Sequence, residues 1–385
     1  MSRFISGYIE GYYGRLFTFE ERIGIARKLG EIGATHYLYA PKEDTLHRRD
    51  WRKPYPTSWR KEFKTFLSAA KKSGVTVIPG LAPGLSYRYQ SEKDFGSLLR
   101  KLKTFLDLGC KELALLMDDI PERLPKEDQN DFHSLGEAHA LLLTRLRKEL
   151  PGLRLWFCPT VYCDAFAELT SKNVSSNVYL HDLAIGIPRD VEVMWTGPNI
   201  ISKRLAPADL NEVNRVLDRR TILWDNLYAN DYCPGKIFLG PFLNRPASVC
   251  SASAGMMLNP TGLYQTDLFL LDLLGGFLRG ENPKTVWSKT VRKLEIPPGF
   301  LKIAVMMSSP FEFKIPASKS IAALRKALKP LIWDWKSPLQ REWYPYLYSL
   351  DADLRLLETG KNKPDVNWIR KKYSPIIAKY LYQSK

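Results

Sequence analysis

Short apolar runs rich in β-branched and aromatic residues recur along the chain, at 4–9, 35–39, 76–81, 112–117, 153–157, 191–195, 221–224 and 252–258. Runs of that length and makeup predict strands, and the helical spacing of apolar positions between them predicts helices. The helical segments carry start and stop signals. Thr18-Phe19-Glu20-Glu21 is a capping box that opens an amphipathic stretch ending at Gly30. Ser91 to Asp94 open a second segment, with Leu98, Leu99, Leu102, Phe105 and Leu106 as its stripe and Gly109 as its end. A third, over 131–150, stops at Pro151-Gly152.

Alternation of this kind makes the strands parallel, because each helical crossover returns the chain in the same direction. Eight units spaced roughly 30–40 residues apart favour a closed (β/α)8 TIM barrel over an open doubly wound sheet. After Asn259-Pro260 the strand pattern ends, and Gly275-Gly276, Gly280 and Asn282-Pro283 mark a boundary. The expected fold class is therefore α/β: a catalytic barrel over 1–280 and a small all-helical C-terminal domain over 281–385. Its helices are expected at 284–294, 319–335, 339–358 and 365–382.

Composition narrows the class without naming a function. With 45% hydrophobic and 25% charged residues, the chain is an ordinary globular protein, which excludes disorder and fibrous repeats. The longest apolar stretch, 268–278, contains Asp272 and falls short of the ~20 residues a membrane span needs. Glu10 arrives too early for the apolar core of a signal peptide, and five scattered cysteines argue against a disulfide framework. A cytoplasmic location is expected. The formal charge of +16 is spread over short clusters such as 61–64, 71–72, 100–103 and 370–372. At amphipathic spacing these read first as solvated helix faces, and second as an attraction for an anionic partner. Basic surfaces draw nucleic acid, anionic lipid and acidic polysaccharide alike, and of these an anionic glycan is expected ahead of nucleic acid. Charge alone assigns nothing.

Barrel enzymes keep their chemistry at the C-terminal ends of the strands. Those ends here read Glu10-Gly11, Lys42, Asp118-Asp119, Tyr162, Thr196-Gly197-Pro198, Asp225-Asn226 with Asp231, and Asn259. Nearly all are polar. Asp118-Asp119 directly follow 113–117, a fully apolar run of the kind a buried parallel strand shows. Successive strand side chains point to opposite faces, so both acids serve one site only if the chain bends at Asp119. Neither a dinucleotide-binding nor a P-loop glycine pattern is present. His133 and His139 lie six residues apart and do not share a helix face as a metal pair would; Cys158 and Cys163 read as buried thiols. No metal or organic cofactor is expected. Paired carboxylates with loop aromatics (Tyr12, Tyr13, Tyr39, Trp51, Tyr162, Trp195, Trp224, Tyr228) point to glycoside hydrolysis, although each aromatic taken singly reads more readily as core packing than as a sugar platform.

Seven segments, in order, resemble glycoside hydrolase family eighty-four, the O-GlcNAcase and bacterial β-N-acetylglucosaminidase ("hyaluronidase") family. They are GYIEGYYGR at 7–15, YLYAPKED at 37–44, ALLMDDI at 114–120, FCPTVYC at 157–163, MWTGP at 194–198, WDNLYANDY at 224–232 and LNP at 258–260. The resemblance implies a retaining exo-β-N-acetylglucosaminidase that hydrolyses terminal β-linked GlcNAc. The substrate's own acetamido oxygen would act as nucleophile, through an oxazoline intermediate. Asp118 would then orient the acetamido N–H, and Asp119 would act as general acid and then general base. Gly7, Lys42, Tyr162, Trp224, Asn226, Asp231 and Asn259 would bind the substrate, with Asp231 on the 4- and 6-hydroxyls. Two residues depart from the family pattern: Val161 stands where an acid is common before the tyrosine, and Glu43 stands where an Asp is usual. The partner implied is a GlcNAc-containing glycan or glycoconjugate. A non-hydrolytic GlcNAc- or glycan-binding protein on the same barrel is the alternative, and the intact acid pair argues against it.

Overall fold

The computed structural model describes residues 4–170, 172–233, 235–311, 316–359, 368, 369 and 372. The chain forms two compact units, Met1–Asn226 with Asn244–Asn259, and Leu227–Leu243 with Pro260–Lys385.

The first unit holds a closed eight-stranded parallel barrel of β1 (Ile5–Glu10), β2 (His36–Tyr39), β3 (Thr76–Leu81), β4 (Glu112–Leu116), β5 (Arg154–Cys158), β6 (Glu192–Trp195), β7 (Ile222–Asp225) and β8 (Gly255–Leu258). Each strand pairs with its neighbour in sequence, and β8 closes on β1 with Ile5 opposite Gly255. The alternation of strand and helix thus yields the expected (β/α)8 architecture. The helices of this unit are α1 (Phe19–Glu31), α2 (Thr57–Lys72), α3 (Glu92–Asp107), α4 (Leu135–Glu149), α5 (Asp164–Thr170), α6 (Val178–Gly186), α7 (Asn211–Val216) and α8 (Val249–Ala252).

Local chemistry explains the boundaries. Thr18 accepts from the Glu21 N–H while Glu21 accepts from the Thr18 N–H, so the capping box starts α1 as its sequence predicts. α4 starts at Leu135 rather than at 131, because Ser134 accepts from the Glu137 N–H and sets the cap there. β8 starts at Gly255, not 252, since 249–252 close the short turn of α8. A contiguous core joins Ile9, Leu38, Ile78, Leu116, Trp156, Met194 and Met257. Burial of each such side chain contributes about 1.5–3 kcal/mol before chain entropy is counted.

Two of the polar strand ends serve the frame. Glu10 is wholly buried and accepts from Arg22 Nε at 2.9 Å, Arg22 Nη2 at 2.8 Å and the Tyr37 hydroxyl at 2.7 Å. Asp225 accepts from Arg245 Nε and Nη2, both at 2.8 Å, and the same guanidinium reaches the Ser202 carbonyl at 2.7 Å. Buried charges need such partners, since an unpaired one costs several kcal/mol.

The second unit carries α9 (Tyr264–Leu278), α10 (Pro283–Lys293), α11 (Gly299–Ile303), α12 (Ser318–Lys329) and α13 (Pro338–Thr359). Glu342 on α13 accepts from the N–H groups of Gln265 and Thr266, each at 2.8 Å, and so caps the orphan donors that open α9. The helix expected over 319–335 divides at Pro330, where a π-helical turn over Pro330–Asp334 follows α12. Of the helix expected over 365–382, all but 368, 369 and 372 lie outside the described residues. Among the described residues no helix is long and apolar enough to cross a membrane.

Candidate active site

The acid pair lies just beyond β4. Met117 still donates to the Cys158 carbonyl at 2.8 Å, continuing the ladder with β5, and the chain then leaves the strand. Asp119 adopts φ 54°, a left-handed conformation that costs a residue with a Cβ roughly 1–2 kcal/mol. This is the bend that adjacent carboxylates need in order to serve one site.

Asp118 is buried, and its Oδ2 accepts from Lys42 Nζ, which projects from the loop after β2. Its Oδ1 is buried without a hydrogen-bond partner among the described residues. Burial opposes the charge on this carboxyl, but the Lys42 ammonium outweighs it and holds the group below the ordinary aspartate range. The same pairing pushes Lys42 up against the opposing effect of its own burial. A buried acceptor in this state calls for a donor, which an amide N–H would supply.

Asp119 is held differently. The Tyr162 hydroxyl donates to Oδ1 at 2.9 Å and the Tyr13 hydroxyl to Oδ2 at 2.9 Å. Burial first, and then the neighbouring Asp119 charge, push both phenols above their usual value, so both remain protonated donors. Arg48 donates in turn to the Tyr13 hydroxyl and, at 3.3 Å, to the Asp119 carbonyl.

A second group stands at the ends of β1, β7 and β8. Trp224 Nε1 donates to Asn226 Oδ1 at 2.8 Å, Asn259 Nδ2 donates to the same oxygen at 2.9 Å, and the Gly11 N–H donates to Asn259 Oδ1 at 3.3 Å. The indole and the two amides are therefore fixed in orientation before any ligand arrives. Of the residues singled out in the sequence, Asp118, Asp119, Lys42, Tyr162, Trp224, Asn226 and Asn259 all stand at the strand ends of the barrel. Gly7 does not. It lies inside β1, opposite His36 and Met257, where a Cβ would come within 2.0 Å of the His36 carbonyl oxygen. The glycine at the mouth is Gly11, whose missing side chain makes room for the Trp224 ring: a Cβ there would lie 2.7 Å from Cζ2. Asp231 belongs to the second unit, on the segment that follows β7.

Three contributors are not evident from sequence alone. Tyr13 and Arg48 reach Asp119 only through space. His139 is fully buried, with Nε2 2.7 Å from the Tyr89 hydroxyl and Nδ1 2.8 Å from the Tyr179 hydroxyl. Tyr179 accepts from the Thr160 N–H at 3.0 Å, and the Thr160 hydroxyl donates to the Met117 carbonyl at 2.7 Å. This run of hydrogen bonds ends on the residue before the acid pair. Burial pushes His139 down to about 3, so it is a neutral strut. Cys158 and Cys163 are buried free thiols, as expected, and burial raises both. Among the described residues no cluster of three or more His, Cys, Asp or Glu is arranged to hold a metal ion.

The Lys42–Asp118 pair carries a pH prediction. In Lys42→Met the principal compensating cation is gone and burial is opposed only by the lesser effects of Arg48 and a backbone hydrogen bond, so the Asp118 carboxyl rises. Whatever needs its charged form is then lost at higher pH, and the acid limb of activity should move upward. A pH–rate profile of the folded variant checks this; an unmoved limb would detach Lys42 from the charge state of Asp118.

A family model described as β-N-acetylglucosaminidase matches residues 6–297. Protein O-GlcNAcase of Mus musculus is 33% identical over 273 residues, covering 71% of this chain and 30% of its own length. The Rattus norvegicus protein of the same name is 32% identical over the same span. The chain thus spans about 30% of the length of these curated relatives. Among solved structures, a mutant of the Thermobaculum terrenum O-GlcNAc hydrolase superposes with a TM-score of 0.81 at 26% identity, covering 99% of this chain and 89% of that one. With a matching family model over most of its length and the barrel that its motifs imply, the chain belongs to the β-N-acetylglucosaminidase family, glycoside hydrolase family eighty-four.

Proposed function

We propose that this protein is a retaining exo-β-N-acetylglucosaminidase that removes terminal β-linked GlcNAc by substrate-assisted catalysis. The observation that carries this is the asymmetry of the acid pair. Asp118 is a buried, charge-stabilised carboxylate with an orphan oxygen, and Asp119 is a carboxylate held by two phenols. The first is suited to hold an N–H, the second to trade a proton.

In the first step the acetamido carbonyl oxygen bonds to the anomeric carbon. The glycosidic C–O bond breaks, its electron pair goes to the leaving oxygen, and that oxygen takes the proton of Asp119. Asp118 accepts a hydrogen bond from the acetamido N–H and stabilises the positive charge that develops on the ring being formed. In the second step Asp119 takes a proton from water as the water oxygen bonds to the same carbon and the oxazoline opens. Two displacements retain configuration. Holding nucleophile and electrophile in one molecule supplies a large effective molarity, so the protein needs only to orient groups and move one proton. Trp224, Asn226 and Asn259 are proposed to wall and orient the sugar, with Lys42 and Tyr162 fixing the acids.

The names of the mouse and rat relatives support a GlcNAc-modified protein as substrate; a cytoplasmic setting and an anionic glycan as partner of the basic surface are proposed with it. A catalytic barrel over 1–280 and a helical domain over 281–385 belong to the same proposal. Turnover of 4-nitrophenyl β-GlcNAc beside the β-GalNAc and β-glucose analogues tests it. Hydrolysis of the GlcNAc substrate with retention, and none of the glucoside, is expected. Binding of GlcNAc without turnover would replace the hydrolase with a glycan-binding protein.

A further inference from the structure

We infer that Tyr13 and Arg48 form a positioning clamp that carries Asp119 between its acid and base states, an inference that rests on the assignment of Asp119 as proton carrier. As placed, both oxygens of Asp119 accept a phenolic O–H, from Tyr162 at Oδ1 and from Tyr13 at Oδ2. That is the arrangement of a carboxylate, the form needed after the proton has been given away. A protonated Asp119 carries one hydrogen on one of these oxygens, and the phenol facing that oxygen must turn its own hydrogen aside.

The two phenols are unequal in their ability to do so. Tyr162 is buried and packed edge-on against Phe166 at 5.0 Å. Tyr13 is 44% exposed and its ring lies beneath two cations, Arg48 at 5.5 Å and Lys42 at 5.9 Å. Oδ2, whose hydrogen bond lies on the more exposed side of the carboxylate, is therefore the oxygen that carries the proton. The Tyr13 hydroxyl donates to Oδ2 when Asp119 is charged and yields when it is protonated. Arg48 has a double hold. It donates to the Tyr13 oxygen, which fixes that hydroxyl beside Oδ2 whichever way its hydrogen points, and it donates to the main-chain carbonyl of Asp119. The second contact pins the residue whose backbone is left-handed, so one guanidinium fixes both the acid and the phenol that answers it. The Asp119 charge also acts on Lys42 and Cys158, and its chain neighbour Asp118 acts with it on Tyr162. Neither Asp118 nor Lys42 hydrogen-bonds to it in this arrangement, since Lys42 is engaged with Asp118.

The test compares two aryl β-GlcNAc substrates, one with an activated dinitrophenyl and one with a poor methoxyphenyl leaving group, in this 385-residue chain. In Tyr13→Phe, kcat/KM should fall about tenfold on the poor leaving group and less than about threefold on the activated one, the size of one lost charge-assisted hydrogen bond at the proton-carrying oxygen. Arg48→Ala should show the same selectivity, and Arg48→Lys, which keeps one donor, should recover part of it. Asp119→Asn, run alongside, separates the two layers. If it too lacks leaving-group selectivity, the assignment of the acid fails. If it is selective while Tyr13→Phe and Arg48→Ala lose activity equally on both substrates, or lose none, the clamp is overturned.

Discussion

Replacing Asp119 with Asn is expected to lower kcat/KM by about 10²–10⁴-fold on GlcNAc carried by an alkyl alcohol, and far less on a dinitrophenyl glycoside. An amide of the same shape cannot donate a carboxylic proton. A poor leaving oxygen then departs as an alkoxide, whereas a nitrophenolate is stable without help. The second step complicates a comparison of kcat, because the same residue activates water. Pre-steady-state release of the aryl group isolates the first step and should show a burst in Asp119→Asn. Equal loss on both leaving groups in that burst would remove Asp119 from the acid role.

Asp118→Ala should behave in the opposite sense. Its carboxylate is assigned to the nucleophile, which every substrate needs, so the loss should be nearly independent of the leaving group. About 10²–10³-fold in kcat is expected, the range found when one preorganised hydrogen-bonding group is removed from a developing charge. The Lys42 ammonium, buried beside Asp118, is then left without its partner, so stability should fall as well. Asp118→Asn keeps the volume and separates the two effects. A variant that retained full rate on both substrates would exclude any part for Asp118 in orienting the amide.

Much of this frame is legible in the sequence because it is local. Eight apolar runs, a capping box at Thr18 and terminators at Gly109 and Pro151 each act over a few residues, and the closed parallel barrel follows from their order, although α1 runs past the expected stop at Gly30 to Glu31, with the left-handed glycine at Gly33. The bend at Asp119 is legible too, since strand alternation leaves no other way for adjacent acids to share a face. What was hidden is long-range. Glu10 and Asp225 look like mouth acids, yet Arg22 and Arg245, distant in sequence, bury them in the frame. Tyr13 reads as one of many aromatics until Arg48 and Asp119 are seen on either side of its hydroxyl. Gly7 and Gly11 share a motif, and only the register of β1 against β2 and β8 shows which of them stands at the mouth. His139 has no local signature as a strut, because its partners Tyr89 and Tyr179 lie 50 and 40 residues away.

The central claim is that the nucleophile belongs to the substrate and that Asp118 acts on it through the amide N–H. Its most direct test is the rate across a series of aryl glycosides whose N-acetyl group carries none, one, two or three fluorine atoms, measured where cyclisation limits turnover. Fluorine withdraws electrons from the carbonyl oxygen, so the account predicts a progressive fall in kcat/KM along the series, with a shallower slope in Asp118→Ala. A flat series in the unmutated enzyme, together with capture of a 2-fluoro sugar on an aspartate or glutamate, would contradict it and point to a protein carboxylate as the nucleophile.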